Sequence, residues 1–158
     1  MTATAASARP APAVTPRVAI GWRECVALPA LGIRALAAKI DTGARSSSLH
    51  VDMQWTFVDG GAPWVAFRMS PDLPGVPAIE IRAPILDRRC VTDSGGHVTE
   101  RIFIRTPMQL AGVTREIDIN LTDRRGMRFA MLLGRTAMRR AFVVHPGRSF
   151  MQGNGLCD

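Results

Sequence analysis

The chain has 158 residues, a usual length for one domain, and its 47% apolar content is enough to build a hydrophobic core. Its net charge of +7 is carried almost entirely by arginine, because Lys39 is the only lysine, and this indicates either a solvated surface or an acidic partner. The sequence has no apolar run of about eighteen residues, the minimum for a membrane-spanning helix, so no membrane partner is expected.

Composition divides the chain into three segments. Residues 1–16 are rich in Ala, Thr, Ser and Pro and lack the apolar centre of a secretory signal, so they predict a disordered N-terminal tail. Residues 17–150 are expected to fold as the single domain, and residues 151–158 form a C-terminal tail.

The three cysteines, Cys25, Cys90 and Cys157, are widely spaced and form no Cys-x-x-Cys pair. This spacing argues against a disulfide framework. Because reducing compartments keep such thiols free, we expect a cytoplasmic location.

Short β-like segments separated by Gly, Pro and Asp turns follow one another along the chain. The predicted strands, in chain order, are 18–22, 24–28, 34–40, 55–58, 64–69, 78–85, 91–92, 101–105, 108–110, 115–121 and 127–133. Glycine-containing turns at 59–61, 93–96 and 111–112 connect hairpins. Residues 135–141 predict one helix of about two turns. The expected fold is therefore all-β, a closed barrel or sandwich with one short C-terminal helix.

One acidic motif stands out. The sequence Ala38-Lys39-Ile40-Asp41-Thr42-Gly43-Ala44 places a single acid where an apolar strand ends and a turn begins. The glycine two residues later lets another backbone approach, because it has no Cβ. An isolated Asp-Thr-Gly is weak evidence, so its meaning depends on the rest of the chain.

A second motif, Met131-Leu132-Leu133-Gly134-Arg135, ends a nearly continuous apolar run and precedes the predicted helix. The run 127–133 is expected to be a strand that is buried on both faces. Met127 and Met138, like the first residue of the motif, are interpreted as core residues. Without the acidic motif, this stretch would predict no more than an ordinary core strand.

Together the two motifs resemble the retropepsin pattern. More closely, the body of the chain is similar to bacterial retropepsin-like proteins that are catalogued as ATP-dependent zinc proteases. The resemblance covers about Val18 to Phe150. It is carried by six segments: 20–24, 38–45, 49–50, 89–96, 121–124 and 131–135.

The resemblance implies an aspartic peptidase that works as a homodimer, because the chain has one such acid and the chemistry needs two. Asp41 of each chain would share one proton, so that one carboxylate activates water and the other polarises the scissile carbonyl. Thr42 is expected to bond the opposing loop, and Gly43 to let the two loops meet. Ala44 would keep the floor of the cleft shallow.

The resemblance also assigns Ser94, Gly95 and Gly96 to a flap that closes over substrate. The turn at 59–61 is a competing candidate, and a plain surface hairpin is the simpler interpretation of either. Ala44 and Arg45 complete the predicted substrate-binding residues.

Leu133, Gly134 and Arg135 are expected to support the acid loop from behind. Viral retropepsins commonly carry an acid soon after the Asp-Thr-Gly-Ala motif that pairs with this arginine, but here residues 45–48 contain none. Arg135 therefore needs another partner, and three acids are candidates: Glu24, Asp118 and Asp123.

Four arginines could make the cleft cationic, which would favour acidic, and in particular glutamate-rich, peptides. They are Arg45, Arg101, Arg124 and Arg135. The alternative, weighed equally, is that they face solvent or pair internally. The family often occurs beside glutamate ligases, which supports the first interpretation.

No metal and no cofactor are expected. The sequence has no HExxH, and His50, His97 and His145 do not have a zinc spacing. No phosphate-binding Gly-x-x-x-x-Gly-Lys loop is present. His50 is interpreted as a structural hydrogen-bonding residue rather than a catalyst.

Two other function classes remain open. The fold could serve as a non-catalytic peptide-binding or regulatory module, in which case a strict monomer would be expected. A nucleic-acid binder is disfavoured, because aromatic residues make up only 6% of the chain and tyrosine is absent. The favoured prediction is a homodimeric aspartic peptidase that cleaves cytoplasmic peptides.

Overall fold

The computed structural model describes residues 15–70, 74–152 and 157. The predicted N-terminal tail lies almost wholly outside the described residues, as does most of the predicted C-terminal tail. Among the residues that are described, no helix has the length and apolar character needed to cross a bilayer.

The described residues form twelve strands, one 3-10 helix over Pro29–Leu31 and one α-helix. The strands are β1 (Val18–Gly21), β2 (Arg23–Leu28), β3 (Ile33–Asp41), β4 (Ser47–His50), β5 (Met53–Asp59), β6 (Ala62–Met69), β7 (Ile79–Pro84), β8 (Asp87–Thr92), β9 (Val98–Leu110), β10 (Val113–Thr122), β11 (Met131–Gly134) and β12 (Phe142–His145), and the helix is α1 (Arg135–Met138).

Six strands close into a ring in the order β10-β4-β11-β3-β2-β9, because β9 also pairs with β10. β8 extends this sheet through its hairpin with β9. Two smaller sheets complete the fold, one of β5-β6-β7 and one in which β1 and β12 run parallel. The all-β barrel with one short helix that the sequence predicts is confirmed.

The ring closes around a continuous apolar core. Strand β2 alternates buried and half-buried residues, as expected of a strand with one face inward. Ile104, Ile119 and Leu133 from three different strands are fully buried, and each such side chain stabilises the fold by about 1.5–3 kcal/mol. The core thereby fixes the ends of β3 and β11, where the two sequence motifs lie.

The strand predicted over 127–133 is wrong in its first half. Only β11 is extended, and Met127 is 60% exposed instead of packing in the core. Gly126 adopts a positive φ of 86°, so the chain turns there before it enters β11. Met131 and Met138 are buried, as predicted.

The predicted helix is also shorter than expected. α1 has four residues, because Arg139 leaves the helical conformation and Arg140 takes a left-handed φ of 68°. The guanidinium of Arg115 donates to the carbonyls of Ala137 and Arg139 at 2.8 and 2.9 Å. These bonds satisfy carbonyl groups that a longer helix would have used.

The expectation that no disulfide forms is wrong. Cys25 on β2 and Cys157 are disulfide-bonded, although 132 positions separate them in sequence. The reason is the fold: residues 148–152 return alongside β1 and β2, where the amide of Phe150 donates to the carbonyl of Arg23. Cys90 is free and exposed.

Candidate active site

The Asp41 carboxylate is held by its own turn. The backbone N–H groups of Gly43 and Ala44 donate to Asp41 Oδ1 at 3.0 and 3.1 Å. Thr42 and Gly43 are exposed, so the loop projects from the end of β3 towards solvent. This geometry leaves a fixed carboxylate at the surface, where a second chain or a substrate can reach it.

β11 lies directly beside the strand that carries the acid. The two strands are parallel, and Gly134 is paired with Asp41. A Cβ at position 134 would collide with the backbone carbonyl of Ser46, so only glycine fits there. Ser47 Oγ accepts the Gly134 N–H at 3.0 Å, which closes the contact between β4 and β11.

The start of α1 binds the carbonyl groups of the acid loop. Arg135 donates from its backbone N–H to Ala44 at 2.8 Å and from Nη1 to the Gly43 carbonyl at 3.0 Å. Thr136 Oγ1 donates to the carbonyl of Arg45 at 2.8 Å. The loop conformation is therefore braced by backbone acceptors rather than by an acidic side chain.

None of the three acids suggested as partners of Arg135 fills that role. Glu24 is fully buried and accepts the N–H groups of Gly21 and Met151 at 2.7 and 2.9 Å. Asp118 binds Arg105 at 2.8 Å, and Asp123 accepts a backbone N–H. The sequence could not reveal this, because the true acceptors are main-chain carbonyls.

Arg101 points from β9 towards the strands behind the acid loop. Its Nη1 donates to Asn120 Oδ1 at 3.1 Å and to Ser48 Oγ at 3.4 Å. Burial lowers the pKa of Arg101, and the more distant Asp93 only partly offsets this. Its hydrogen-bond partners among the described residues, which also include Thr99 Oγ1 at 3.1 Å, are neutral.

Arg124 is a partly buried cation whose pKa responds to Asp41. Burial is the main cause that lowers its pKa, repulsion from Arg101 lowers it further, and Asp41 raises it. Its Nε donates to the carbonyl of Phe129 at 3.2 Å. The charge of Arg124 is therefore influenced by both Arg101 and Asp41, whereas Arg45 is exposed.

The turn Ser94-Gly95-Gly96 forms the exposed tip of the β8-β9 hairpin. Asp93 Oδ1 accepts the N–H groups of Gly95 and His97, both at 2.9 Å, which fixes the shape of the tip. Arg101 lies further along β9, so this hairpin and Arg101 share one strand. The competing turn at 59–61 joins β5 and β6 in the separate three-stranded sheet.

His50 lies at the end of β4 with a side chain that is 14% exposed. Its Nε2 is 2.9 Å from Asp52 Oδ1, and its Nδ1 accepts the backbone N–H of Arg124 at 2.9 Å. The neutral ring therefore carries its proton on Nε2 and donates it to Asp52. The sequence interpretation of His50 as a hydrogen-bonding residue agrees with this geometry.

Sequence reasoning missed Ser48 and Asn120, which hold Arg101. Both are buried, and Asn120 also donates to the carbonyl of Ser47 at 2.8 Å. A buried asparagine in an alternating apolar strand is the signal that could have identified this site, because buried amides need specific partners.

The family described as "RimB-like: Retropepsin-like aspartic endopeptidase RimB" matches residues 19–154. The match includes both sequence motifs, the β8-β9 hairpin and all the arginines discussed above.

Curated relatives carry a different name. A protein of Shewanella halifaxensis (strain HAW-EB4) named "Probable alpha-L-glutamate ligase" is 39% identical over 136 residues, which are 85% of this chain and 30% of the relative. A protein of Desulfotalea psychrophila (strain LSv54 / DSM 12343) with the same name is 36% identical over 128 residues, or 80% and 28% of the two chains. The chain therefore spans less than a third of these longer proteins.

A crystal structure of a Legionella pneumophila protein of unknown function has a similar fold. It superposes with a TM-score of 0.72 and 24% identity, and the match covers 87% of this chain and 99% of that one.

Proposed function

We propose, from the premise that the chain belongs to the RimB-like family of retropepsin-like aspartic endopeptidases, that it is an aspartic peptidase acting as a homodimer. The observation that carries the proposal is the Asp41 loop, in which two backbone N–H groups fix the carboxylate at the protein surface. A second copy of the same loop supplies the second carboxylate.

In the proposed mechanism the two Asp41 carboxylates share one proton, because both cannot ionise when they lie close together. The ionised carboxylate takes a proton from water, and the protonated one donates a hydrogen bond to the scissile carbonyl. The Gly43 and Ala44 N–H groups keep each carboxylate oriented through the reaction. The hairpin with Ser94–Gly96 at its tip acts as the flap that excludes bulk water.

The proposed substrates are acidic peptides, with glutamate-rich peptides as the main candidate. Burial lowers the pKa of Arg101 and of Arg124, and Asp41 raises that of Arg124, so an anionic substrate would favour the charged form of both arginines. The curated relatives are named as glutamate ligases, so a related peptidase that cleaves glutamate-containing products is chemically consistent with them.

The proposed site of action is the cytoplasm. Thiols are kept reduced there, so the Cys25–Cys157 disulfide would be open. The proposal therefore requires the reduced protein to cleave peptide. Loss of all activity on treatment with dithiothreitol, with the fold retained, would exclude the cytoplasm and leave the peptidase mechanism intact.

A non-catalytic peptide-binding module is the alternative. It is favoured by one observation: the curated relatives that contain a similar segment are named as ligases and not as peptidases. In that case the chain would bind acidic peptides and release them uncut.

The test is cleavage of glutamate-tailed peptides, read by mass spectrometry, with wild-type protein and Asp41→Asn. We expect the substitution to lower kcat/KM by at least about 10²–10⁴-fold, since it removes the acid–base group. Asp59→Asn, at the exposed turn between β5 and β6, is the matched control and should cleave like wild type. Equal turnover by Asp41→Asn would exclude the dyad.

Mixing the two proteins tests the dimer. When wild type and Asp41→Asn exchange subunits at equal concentration, activity per wild-type chain should fall to about half, because mixed dimers hold one carboxylate. Unchanged activity, together with a monomer in sedimentation at high concentration, would contradict the homodimer.

A further inference from the structure

Arg124 is carried by an irregular segment, residues 123–130, between β10 and β11. Such a segment gives a side chain less support than a strand does, because fewer ladder hydrogen bonds hold it. The Arg124 side chain is partly buried, and among the described residues its Nε is held only within the same segment, by the carbonyl of Phe129 at 3.2 Å. Some other contact has to fix the segment.

His50 makes that contact at both ends of the segment. At one end, its ring Nδ1 accepts the backbone N–H of Arg124 at 2.9 Å. At the other, its backbone N–H donates to the carbonyl of Ala130 at 2.7 Å. The segment is therefore attached twice to a single residue of the barrel.

Asp52 fixes the ring so that the Nδ1 contact can form. Its Oδ1 lies 2.9 Å from His50 Nε2, which places the ring proton on Nε2 and leaves Nδ1 as the acceptor. Asp123 Oδ1 lies 3.8 Å from Nδ1, beyond hydrogen-bond distance. At many functional sites a carboxylate orients an imidazole ring, and the ring in turn positions the group that binds or reacts.

We infer that His50 and Asp52 form a positioning pair that holds Arg124 where it meets a carboxylate of the substrate. The inference rests on the proposed acidic substrate and deepens it. His50 touches neither the reacting atoms nor the substrate; it acts through the backbone of Arg124. Loss of its acceptor should therefore weaken recognition of an acidic peptide and leave recognition of a neutral one unchanged.

The test is peptide binding by calorimetry in the Asp41→Asn background, where no probe is consumed. The probes are acetylated tetraglutamate and its uncharged analogue, tetraglutamine. Two replacements of His50 separate its contacts: His50→Gln reaches towards Asp52 but offers no acceptor at the Nδ1 position, whereas His50→Asn places Oδ1 near that position. His145→Gln, at an exposed residue of β12, is the matched control.

We expect His50→Gln to weaken tetraglutamate binding about tenfold, which corresponds to the loss of one hydrogen bond. His50→Asn should restore most of that affinity, and His145→Gln should change nothing. Tetraglutamine binding should be the same in all four proteins. Asp52→Asn, at a half-exposed residue that should not endanger folding, should weaken tetraglutamate binding in the same direction.

Nuclear magnetic resonance supplies a readout that is independent of peptide. The His50 ring should show an unprotonated Nδ1, and the Arg124 amide proton should shift upfield in His50→Gln. Unchanged tetraglutamate affinity in His50→Gln and Asp52→Asn, or an equal loss for both probes, would overturn the positioning role.

The two proposals fail in different ways. If the His50 variants lose tetraglutamate affinity as expected but wild type cleaves nothing, the peptidase proposal fails and the positioning pair stands. If wild type cleaves acidic peptides and the His50 variants bind them normally, the positioning pair fails and the peptidase proposal stands.

Discussion

The sequence identifies some of the residues that surround Asp41 and leaves others unrecognised. The acid itself lies in a recognisable motif, and Gly134 lies in a second one. Ser48 and Asn120 lie in neither motif. In sequence they are 53 and 19 positions from Arg101, and only the closed barrel brings the three side chains together. Long-range polar contacts of this kind depend on register, which short-range patterns do not encode.

Arg101 gives a prediction at this scale. Under the proposed function, Arg101→Gln should raise KM for an acidic peptide about tenfold and leave kcat within about twofold, because the substitution would remove a charge-assisted contact to substrate and leave the proposed dyad in place. Steady-state kinetics with acidic and neutral peptides measure this. Arg34→Gln, at an exposed residue of β3, is the control. A fall in kcat with no change in KM would instead assign Arg101 a role in the chemical step.

At the scale of elements, hairpins were predicted best and isolated short strands worst. The β5-β6, β8-β9 and β9-β10 hairpins carry glycine turns between apolar segments, a local signal. β4 carries no such signal, since two of its four residues are serines. Those serines are buried because Ser47 binds Gly134 and Ser48 binds Arg101. Tertiary hydrogen bonds, not propensity, make this segment a strand.

The packing of β11 against the acid loop predicts the effect of Gly134→Ala. The added Cβ would collide with the backbone of Ser46, so the strand must move and the bond from Arg135 to Gly43 must weaken. We expect a loss of about 1–3 kcal/mol in the free energy of unfolding, measured by urea titration, and a fall in activity. Gly147→Ala, whose Cβ would meet only His145 at ordinary distance, should leave both unchanged.

The outer face of β9 and β10 predicts a pH effect. The bond from Arg105 lowers the pKa of Asp118, burial opposes this, and the bond from Arg89 lowers the pKa further. The carboxylate therefore stabilises the fold at pH values above its unfolded pKa of about 3.9, and this stabilisation is lost as pH falls through the lower folded pKa. The contribution is on the order of 1 kcal/mol, because the arginines are largely exposed.

Acid titration of stability checks this. Asp118→Asn should have a flatter dependence of unfolding free energy on pH below about pH 4 than wild type. Asp59→Asn should retain the wild-type slope. Identical curves for wild type and Asp118→Asn would show that the ion pairs contribute nothing.

For the whole molecule, the sequence predicts the all-β architecture but not the disulfide that joins the C-terminal segment to β2. Spacing alone made Cys25 and Cys157 look unrelated, whereas the fold returns residues 148–152 to β1 and β2. Buried Glu24 also joins the C-terminal segment to β1, because its carboxylate accepts the N–H groups of Gly21 and Met151. Cysteine spacing in sequence therefore predicts disulfide pairing only when the two cysteines are separated by a short loop.

Cys157→Ser tests how much this closure contributes. Removing a disulfide that closes so long a loop should lower the free energy of unfolding by about 2–4 kcal/mol, mainly by freeing the unfolded chain. Urea titration of oxidised wild type and Cys157→Ser measures the difference, with Cys90→Ser as the control that retains the disulfide. Equal midpoints for all three proteins would contradict this contribution.

The same disulfide decides how the protein responds to force. Because Cys25 and Cys157 are covalently joined, a pull between the two termini bypasses every residue between them, including Asp41 and strands β3 to β12. In an optical trap, the oxidised chain should release only the segment before Cys25. The reduced chain should release roughly 450 Å more, the extended length of the 132-residue loop. A pull applied between the two ends would thus leave the segment from Cys25 to Cys157 unextended until the disulfide is reduced.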